Sequence, residues 1–413
     1  MEPIVITGLG AITPIGLTVE EFWAHLCAGV SGVGPITRFD TTGFAVRIAA
    51  EVKGFDPQNY MDDKLARRTA RPTQFAIAAA KMALEDAGAS VTHSDPTQWG
   101  VVMNTGGGPI ADVAEAGQLL AKEGPRSISP FFVPSIMPNA VSCLVSIATG
   151  ARGPVLTCTE ACASGNYALV EAMHILRRGD AQAVIAGGAE SAIAPIAFAA
   201  LGRIGALTKY NDRPTEACRP FDRDRQGFVF GEGAAAFVVE PLSRARQRGA
   251  HIYAEIAGGA LTGDAYHITA PHPEGDGAAR AMRLALEKAG IQPQEIDHIS
   301  AHGTGTALND VVETKAIKAV FGEHAYRLAI SAIKSMLGHL LGAAGAVAAL
   351  AACLTLRDGI IPPTINLDNP DPECDLDYVP HVARRQPVRA AMVNGFGFGG
   401  QNAVVILRQP PEA

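Results

Sequence analysis

The 413-residue chain contains no C-x-x-C pair: its seven cysteines stand apart at 27, 143, 158, 162, 218, 353 and 374. An odd, scattered set excludes a disulfide framework and a cysteine-based zinc site. Six of them read as small buried hydrophobes, the ordinary state of free cysteine. Positive charge is also short, with 34 Lys and Arg against 41 Asp and Glu, a net −7. That excludes whole-molecule attraction to nucleic acid or to an anionic membrane, so an acidic partner must meet a local basic patch. The candidate is "DDKLARRTAR", where Lys64, Arg67 and Arg68 are expected on one face of a helix. The opening "MEPIVITGLG" lacks the basic and apolar regions of a secretion signal, which gives the expectation of a cytoplasmic protein. The longest uncharged run, "LLGAAGAVAALAACLTL" at 340–356, is mostly Ala and Gly and short for a membrane span, so it reads as a buried helix. No Walker loop or metal cluster is found, and "GLGAITPIG" lacks the spacing of a dinucleotide fingerprint.

What is present suits a packed, enzyme-sized protein. Hydrophobic residues make up 48%, charged residues 18%, and there are 44 glycines. Disorder is expected only at the terminal "QPPEA". Apolar runs such as "IVITGLG", "WGVVMNTG", "AVIAGG", "AAAFVVE", "IDHISAHG" and "NAVVIL" alternate with Ala-rich helical stretches. The alternation predicts an α/β protein with mixed, largely parallel sheets buried on both faces. The halves echo one another: "ALEDAG" at 83–88 and "ALEKAG" at 285–290 each lead into a strand, and two later helices end in "LRRGD" and "LRDG". A duplicated unit explains both pairs. The division is placed near "RARQRGAHIYAE", giving halves of residues 1–250 and 251–413.

Chemistry concentrates at four places. Cys162, in "TEACASGNY", lies at or just before the first turn of a helix whose apolar positions include Leu169, Ala172, Met173 and Leu176. Unpaired N–H groups and the helix dipole there favour a thiolate and lower the thiol pKa, so the cysteine reads either as a nucleophile or as a core residue. His302, in "SAHGTGTALND", follows a strand and precedes a Gly/Thr loop, a place where a side chain projects into a crevice. Lys334 and His339 share "SAIKSMLGHLLGAAGA".

Cys162, His302, Lys334 and His339 together, with "IVITGLG", "ISPFFVPS", "ACASG", "DAYHIT", "HGTGT", "KSMLGHLLGAAGAV", "PPTINLDNPDPECDLDYVP" and "NGFGFGG", resemble the β-ketoacyl-[acyl carrier protein] synthases. The resemblance runs over nearly the whole chain and is strongest to the type II elongating synthase. It implies the thiolase-like fold, with two related halves in a five-layered α/β/α/β/α arrangement, usually as a homodimer. It implies that Cys162 takes an acyl group from acyl carrier protein, and that His302 and His339, as neutral donors, stabilise the enolate formed when a malonyl thioester loses carbon dioxide. The backbone amides of Cys162 and Phe398 match the oxyanion hole. Phe398 is implied as a gate, with Gly399 beside it at the substrate. Lys334 is an electrostatic organiser expected to pair with a carboxylate such as Asp310. Thr269, Thr304 and Thr306 match the channel for the phosphopantetheine arm, and Lys64, Arg67 and Arg68 match positions that dock the acidic carrier. No cofactor beyond that arm is implied.

Three positions depart from the pattern. Ala348 replaces a glutamate usual in the helix after "GHLLGAAGAV", and Glu160 stands two residues before the nucleophile. The expectation is that Glu160 restores the lost charge by pairing with Lys334. Gly107 replaces a bulky apolar residue, which should lengthen or widen the acyl pocket. A lesser change is Gly205 in place of a usual arginine, with Arg203 nearby. The alternative function is the ketosynthase subunit of a dissociated polyketide or polyene pathway, with a heterodimeric chain-length partner. A non-catalytic chain-length subunit would lack Cys162, and a degradative thiolase would carry a second cysteine absent from "NGFGFGG".

Overall fold

In the computed structural model, which describes residues 2–410, ten strands build one main sheet. Pro411, Glu412 and Ala413 of the terminal "QPPEA" lie outside the described residues. In chain order the strands are β1 (Ile4–Ile12), β2 (Trp99–Asn104), β3 (Val155–Leu156), β4 (Ala183–Glu190) and β5 (Gly233–Pro241), then β6 (Ala254–Gly263), β7 (His298–Ser300), β8 (Ala329–Ser331), β9 (Ala390–Gly397) and β10 (Gln401–Arg408). The first five run β3-β2-β4-β5-β1 across the sheet and the second five run β8-β7-β9-β10-β6. In each set two parallel pairings are followed by two antiparallel ones. The halves therefore repeat one topology. They meet edge to edge through only Val5↔Glu255 and Ile6↔Ala254, a junction narrow enough to let the two sheets fold over one another.

Between the sheets lie two helices of 15 residues each, Ser164–Arg178 and Ala344–Asp358, which contact strands of both halves and each other. Arg71–Asp86 and Ala140–Thr149 cover the outer face of the first half, and Asp276–Ala289 with Ala307–Phe321 cover that of the second. This is the five-layered thiolase-like arrangement. Apart from the edge strand β3, the strands are largely buried on both faces, which is why they read as continuous apolar runs rather than as alternation.

The echoes in the sequence are structural equivalents. Each central helix follows a three-residue 3₁₀ turn, Ala161–Ala163 or Leu341–Ala343, and each ends on a left-handed glycine, Gly179 or Gly359. Position for position, Ala161 answers to Leu341 (φ 46° and 42°), Cys162 to Gly342, and Gly165 to Gly345. Every residue from Ala344 to Leu356 is buried, as expected for a helix enclosed on all sides. Leu341–Asp358 passes the length and hydropathy test for a membrane span, but 83% of it lies inside the protein.

Small residues here are a packing requirement. A Cβ on Gly165 would stand 2.3 Å from the Ala346 amide nitrogen, and one on Gly345 would stand 2.7 Å from the Asn166 nitrogen and 2.2 Å from its Oδ1. The helices therefore touch backbone to backbone. Asn166 extends the join by donating through Nδ2 to Val393 O (3.0 Å) and Ala403 O (2.9 Å) of the second half. Gly345→Ala should lower stability by about 1–3 kcal/mol through overpacking, measured as a fall in the urea midpoint with an unchanged slope.

Candidate active site

Cys162 sits in the 3₁₀ turn that opens the first central helix, where Ala163 N closes the turn on Glu160 O at 2.9 Å. It lies at the base of a cavity of about 440 Å³. The same cavity is lined by His302, His339 and Phe398, by Thr269, Thr304 and Thr306, and by Gly107, so one chamber collects residues from both halves. His302 projects from the loop after β7, at the carboxyl end of a parallel strand, and His339 follows the single helical turn Lys334–Leu337. Their rings meet edge to face, with centroids 5.4 Å apart.

Both imidazoles are neutral. Burial drives each well below the ordinary histidine value, and the Lys334 ammonium pushes the same way. For His339 the tautomer follows: Leu341 N donates to its Nδ1 at 3.2 Å, so the ring hydrogen is on Nε2. Lys334 itself is buried and donates through Nζ to the His302 carbonyl at 2.5 Å.

Cys162 corrects an expectation. The Lys334 charge and the amides of Phe398 and Cys162, which face the sulfur, favour the thiolate. Burial is the larger effect, however, and the thiol is pushed up to about 11. The resting nucleophile is a protonated thiol, because a helix N-terminus does not repay the solvation that the buried sulfur has lost.

The carboxylates correct two more. Glu160 does not pair with Lys334. It accepts from Gln401 Nε2 on β10, and burial raises its pKa while that hydrogen bond opposes the rise. Asp310 is occupied elsewhere, accepting from Phe221 N (2.8 Å) and Gly305 N (3.2 Å) and standing 3.6 Å from Arg225 Nε. The strongest negative field on Lys334 is that of Glu313. The Glu313 carboxylate accepts from His302 N and Gly303 N, both at 2.8 Å, and from Asn394 Nδ2 at 3.0 Å, which fixes the turn carrying the catalytic ring. Ala348, at the position of the missing glutamate, is buried in the apolar core.

Other positions divide. Gly399 does not line the cavity; its φ is 83° and its N–H goes to Ile268 O at 2.8 Å, so it serves the turn rather than the substrate. Gly107 lines the chamber, but Ile110 Cδ1 lies 2.9 Å from where a Gly107 Cβ would be, so Ile110 takes part of the vacated volume. Gly205 lines the chamber and Arg203 is exposed beside it. Lys64, Arg67 and Arg68 are exposed and outside the catalytic chamber. The helix there ends at Ala66, so they do not share one helical face. Lys64 and Arg68 border a second cavity with Lys81, and Arg68 stacks at 4.0 Å over Phe131.

With this geometry in place, the relatives are informative. Residues 1–245 match the model for the Beta-ketoacyl synthase, N-terminal domain, and residues 253–368 that for the C-terminal domain. The chain belongs to the β-ketoacyl synthase family. It is 46% identical over 406 residues to the 3-oxoacyl-[acyl-carrier-protein] synthase 2 of Synechocystis sp., and 46% identical over 404 residues to that of Coxiella burnetii, covering 98% of both chains in each case. Among solved structures it is similar to the ishigamide ketosynthase/chain length factor, with TM-score 0.93 and 42% identity over 99% of both chains. It is also similar to the type II polyketide ketosynthase in the AntDE:AntF complex, with TM-score 0.91 and 35% identity over 99% of both.

Sequence reasoning missed Glu190 as well as Glu313 and Asn394. Glu190 ends β4, is fully buried, and accepts from Gly106 N (2.8 Å), Gly107 N (3.1 Å) and Gly342 N (3.1 Å). It ties the pocket loop of the first half to the turn just after His339. Burial pushes its pKa up to about 7 despite these donors. The folded chain therefore holds this proton at pH values where the unfolded chain has released it, and the contribution to stability falls as pH rises from the unfolded value toward 7. Wild type should lose stability relative to Glu190→Gln as pH is raised from about 5 to 8, read from paired denaturant titrations.

Proposed function

We propose that this β-ketoacyl synthase catalyses the decarboxylating Claisen condensation of fatty acid elongation. In this reading an acyl-[acyl carrier protein] and malonyl-[acyl carrier protein] give 3-oxoacyl-[acyl carrier protein]. The observation that carries it is the convergence of Cys162, two neutral imidazoles and two sulfur-facing amides on one chamber.

In the first half-reaction the Cys162 S–H bond and the carrier's thioester C–S bond break. A new thioester forms on Cys162, and the proton leaves on the carrier's thiol. The amides of Cys162 and Phe398 stabilise the oxyanion on the way. In the second, the malonyl thioester loses its carboxylate as carbon dioxide, and the electron pair passes to an enolate. His339 Nε2–H and the His302 ring stabilise the enolate oxygen. The enolate carbon then attacks the acyl carbonyl, and the Cys162 thiolate departs. With its pKa raised to about 11, the departing thiolate takes a proton from solvent water and returns to its resting form. Burial, aided by the Lys334 charge, holds both histidines neutral, which keeps them hydrogen-bond donors without placing a full charge on the substrate.

The phosphopantetheine arm belongs to the substrate, so the reaction calls for no resident metal or cofactor. The carrier is assigned as partner on chemistry: a thioester must reach a buried sulfur, and exposed Lys64, Arg67 and Arg68 offer local positive charge to an acidic protein. A ketosynthase and its acyl-carrier protein are named together in the AntDE:AntF structure. We also propose a homodimer. β3 is a two-residue strand at the end of the sheet, and Leu156, Ile147, Val133, Met137 and Phe131 are exposed on neighbouring sequence, an apolar face that calls for cover. Seven free cysteines, one of them the nucleophile, fit the reducing cytoplasm.

A second reading, the ketosynthase of a dissociated polyketide or polyene pathway with a chain-length partner, draws support from the likeness to the ishigamide ketosynthase/chain length factor. The 46% identity to 3-oxoacyl-[acyl-carrier-protein] synthase 2 proteins over 98% of the chain favours the first. Products formed with purified carriers, together with the native mass of the assembly, separate the two.

Intact-mass measurement after incubation with acyl carriers should show a single acyl adduct on Cys162 and none on Cys162→Ala. His339→Ala should still acylate but should lose condensation by about 10²–10³-fold, the usual cost of one donor at a developing oxyanion. For chain length, Gly107→Phe must displace Ile110 and should shorten the products by at least one extension unit. Ile110→Ala should lengthen them, read by mass spectrometry of the released acyl groups.

A further inference from the structure

Glu160 and Gln401 lie outside the reaction as derived so far, yet they join its two oxyanion-hole segments. Phe398, Gly399 and Gly400 form the three-residue loop of the β9–β10 hairpin, and Gly397 and Gln401 face each other as the pair that closes it. Glu160 meets both stems. Its carbonyl oxygen would stand 2.9 Å from a Cβ on Gly397, so at that stem the backbones are in contact. At the other stem its carboxylate accepts from Gln401 Nε2. The Glu160 backbone is itself fixed, with its N–H donating to Ser164 Oγ at 2.8 Å and Ser164 Oγ donating to Ala161 O at 2.8 Å. The far side of the loop is held chiefly by backbone: Gly399 N donates to Ile268 O at 2.8 Å and Gly400 O accepts from Asp264 N at 2.8 Å, with a longer bond from Asn402 Nδ2 to Gly400 O at 3.4 Å. Gly399 and Gly400 have φ of 83° and 73°, so the loop has little stiffness of its own.

We propose that Glu160 and Gln401 form a clasp that fixes the Phe398 hairpin against the nucleophile turn, which makes Glu160 a positioning residue for the oxyanion hole. The amide of Phe398 and the amide of Cys162 come from different halves of the fold, and their spacing decides whether both reach one developing oxyanion. Glu160 is the next residue but one to Cys162, and Gln401 is three residues from Phe398. A side-chain bond between them sets that spacing directly. The carboxylate whose field adds to the burial of the Cys162 thiol is Glu190, so Glu160 acts through geometry.

The inference rests on Cys162 being the acylated residue, and the test keeps the two claims apart. Single-turnover acylation is followed by intact mass at saturating acyl carrier for wild type, Glu160→Ala, Gln401→Ala, the double alanine variant and the swap Glu160→Gln with Gln401→Glu. Melting temperatures are recorded in parallel. Each single variant should acylate about tenfold more slowly, the loss expected for one charge-assisted hydrogen bond, with the KM for acyl carrier unchanged. The double variant should be no slower than the worse single one, and the swap should recover most of the rate. Additive losses, a swap as slow as the alanine variants, faster acylation in Glu160→Ala, or rates that simply follow melting temperature would overturn the clasp. Failure of wild type to acylate with any carrier would instead overturn the proposed function.

Discussion

The contact of Gly165 with the Ala346 amide sets the distance between the halves of this molecule, and the reaction chamber inherits that distance. Cys162 lies one turn before Gly165 and His339 lies shortly before Gly345, so both are positioned by the same crossing. A side chain at either glycine would separate the helices and carry the sulfur away from the imidazoles. The polar side chain at the crossing, Asn166, is tied through Nδ2 to Val393 O and Ala403 O and stands against Gly345, so it leaves little room to adjust to such a shift. Close packing, reinforced by the Asn166 hydrogen bonds, thus performs the positioning task.

Much of this was legible beforehand. Strands buried on both faces leave a strong apolar trace, and a duplicated helix leaves matching ends at "LRRGD" and "LRDG". The nucleophile and both histidines were legible because glycines and alanines around them mark places where backbone and substrate come close. Glu313 was not, since a glutamate six residues into an amphipathic-looking helix reads as solvated surface, and only its burial against the His302 turn gives it a role. The same reason hid Glu190 at a strand end.

Two errors share a cause. Spacing along the chain says which residues are near Cys162, but not which way Glu160 points, and its carboxylate goes to β10 rather than to Lys334. Likewise a helix N-terminus is visible in sequence while the depth of the chamber around it is not, and depth decides the protonation of the thiol. Where charge is concerned, the site is governed by exclusion of water: the ammonium of Lys334 and the carboxylates of Glu190, Asp310 and Glu313 are all fully buried, and each is stabilised chiefly by backbone groups or by fields from its neighbours.

Gly342 occupies in the second half the place that Cys162 occupies in the first, and its amide donates to Glu190 where the Cys162 amide faces the nucleophile's own sulfur. Duplication made two cradles of backbone donors. In one the chain has lodged a carboxyl group of its own, turning a would-be reaction vessel into a rivet between the halves. The other turns its donors to the reacting sulfur, and that asymmetry is what gives a twofold architecture a one-sided chemistry.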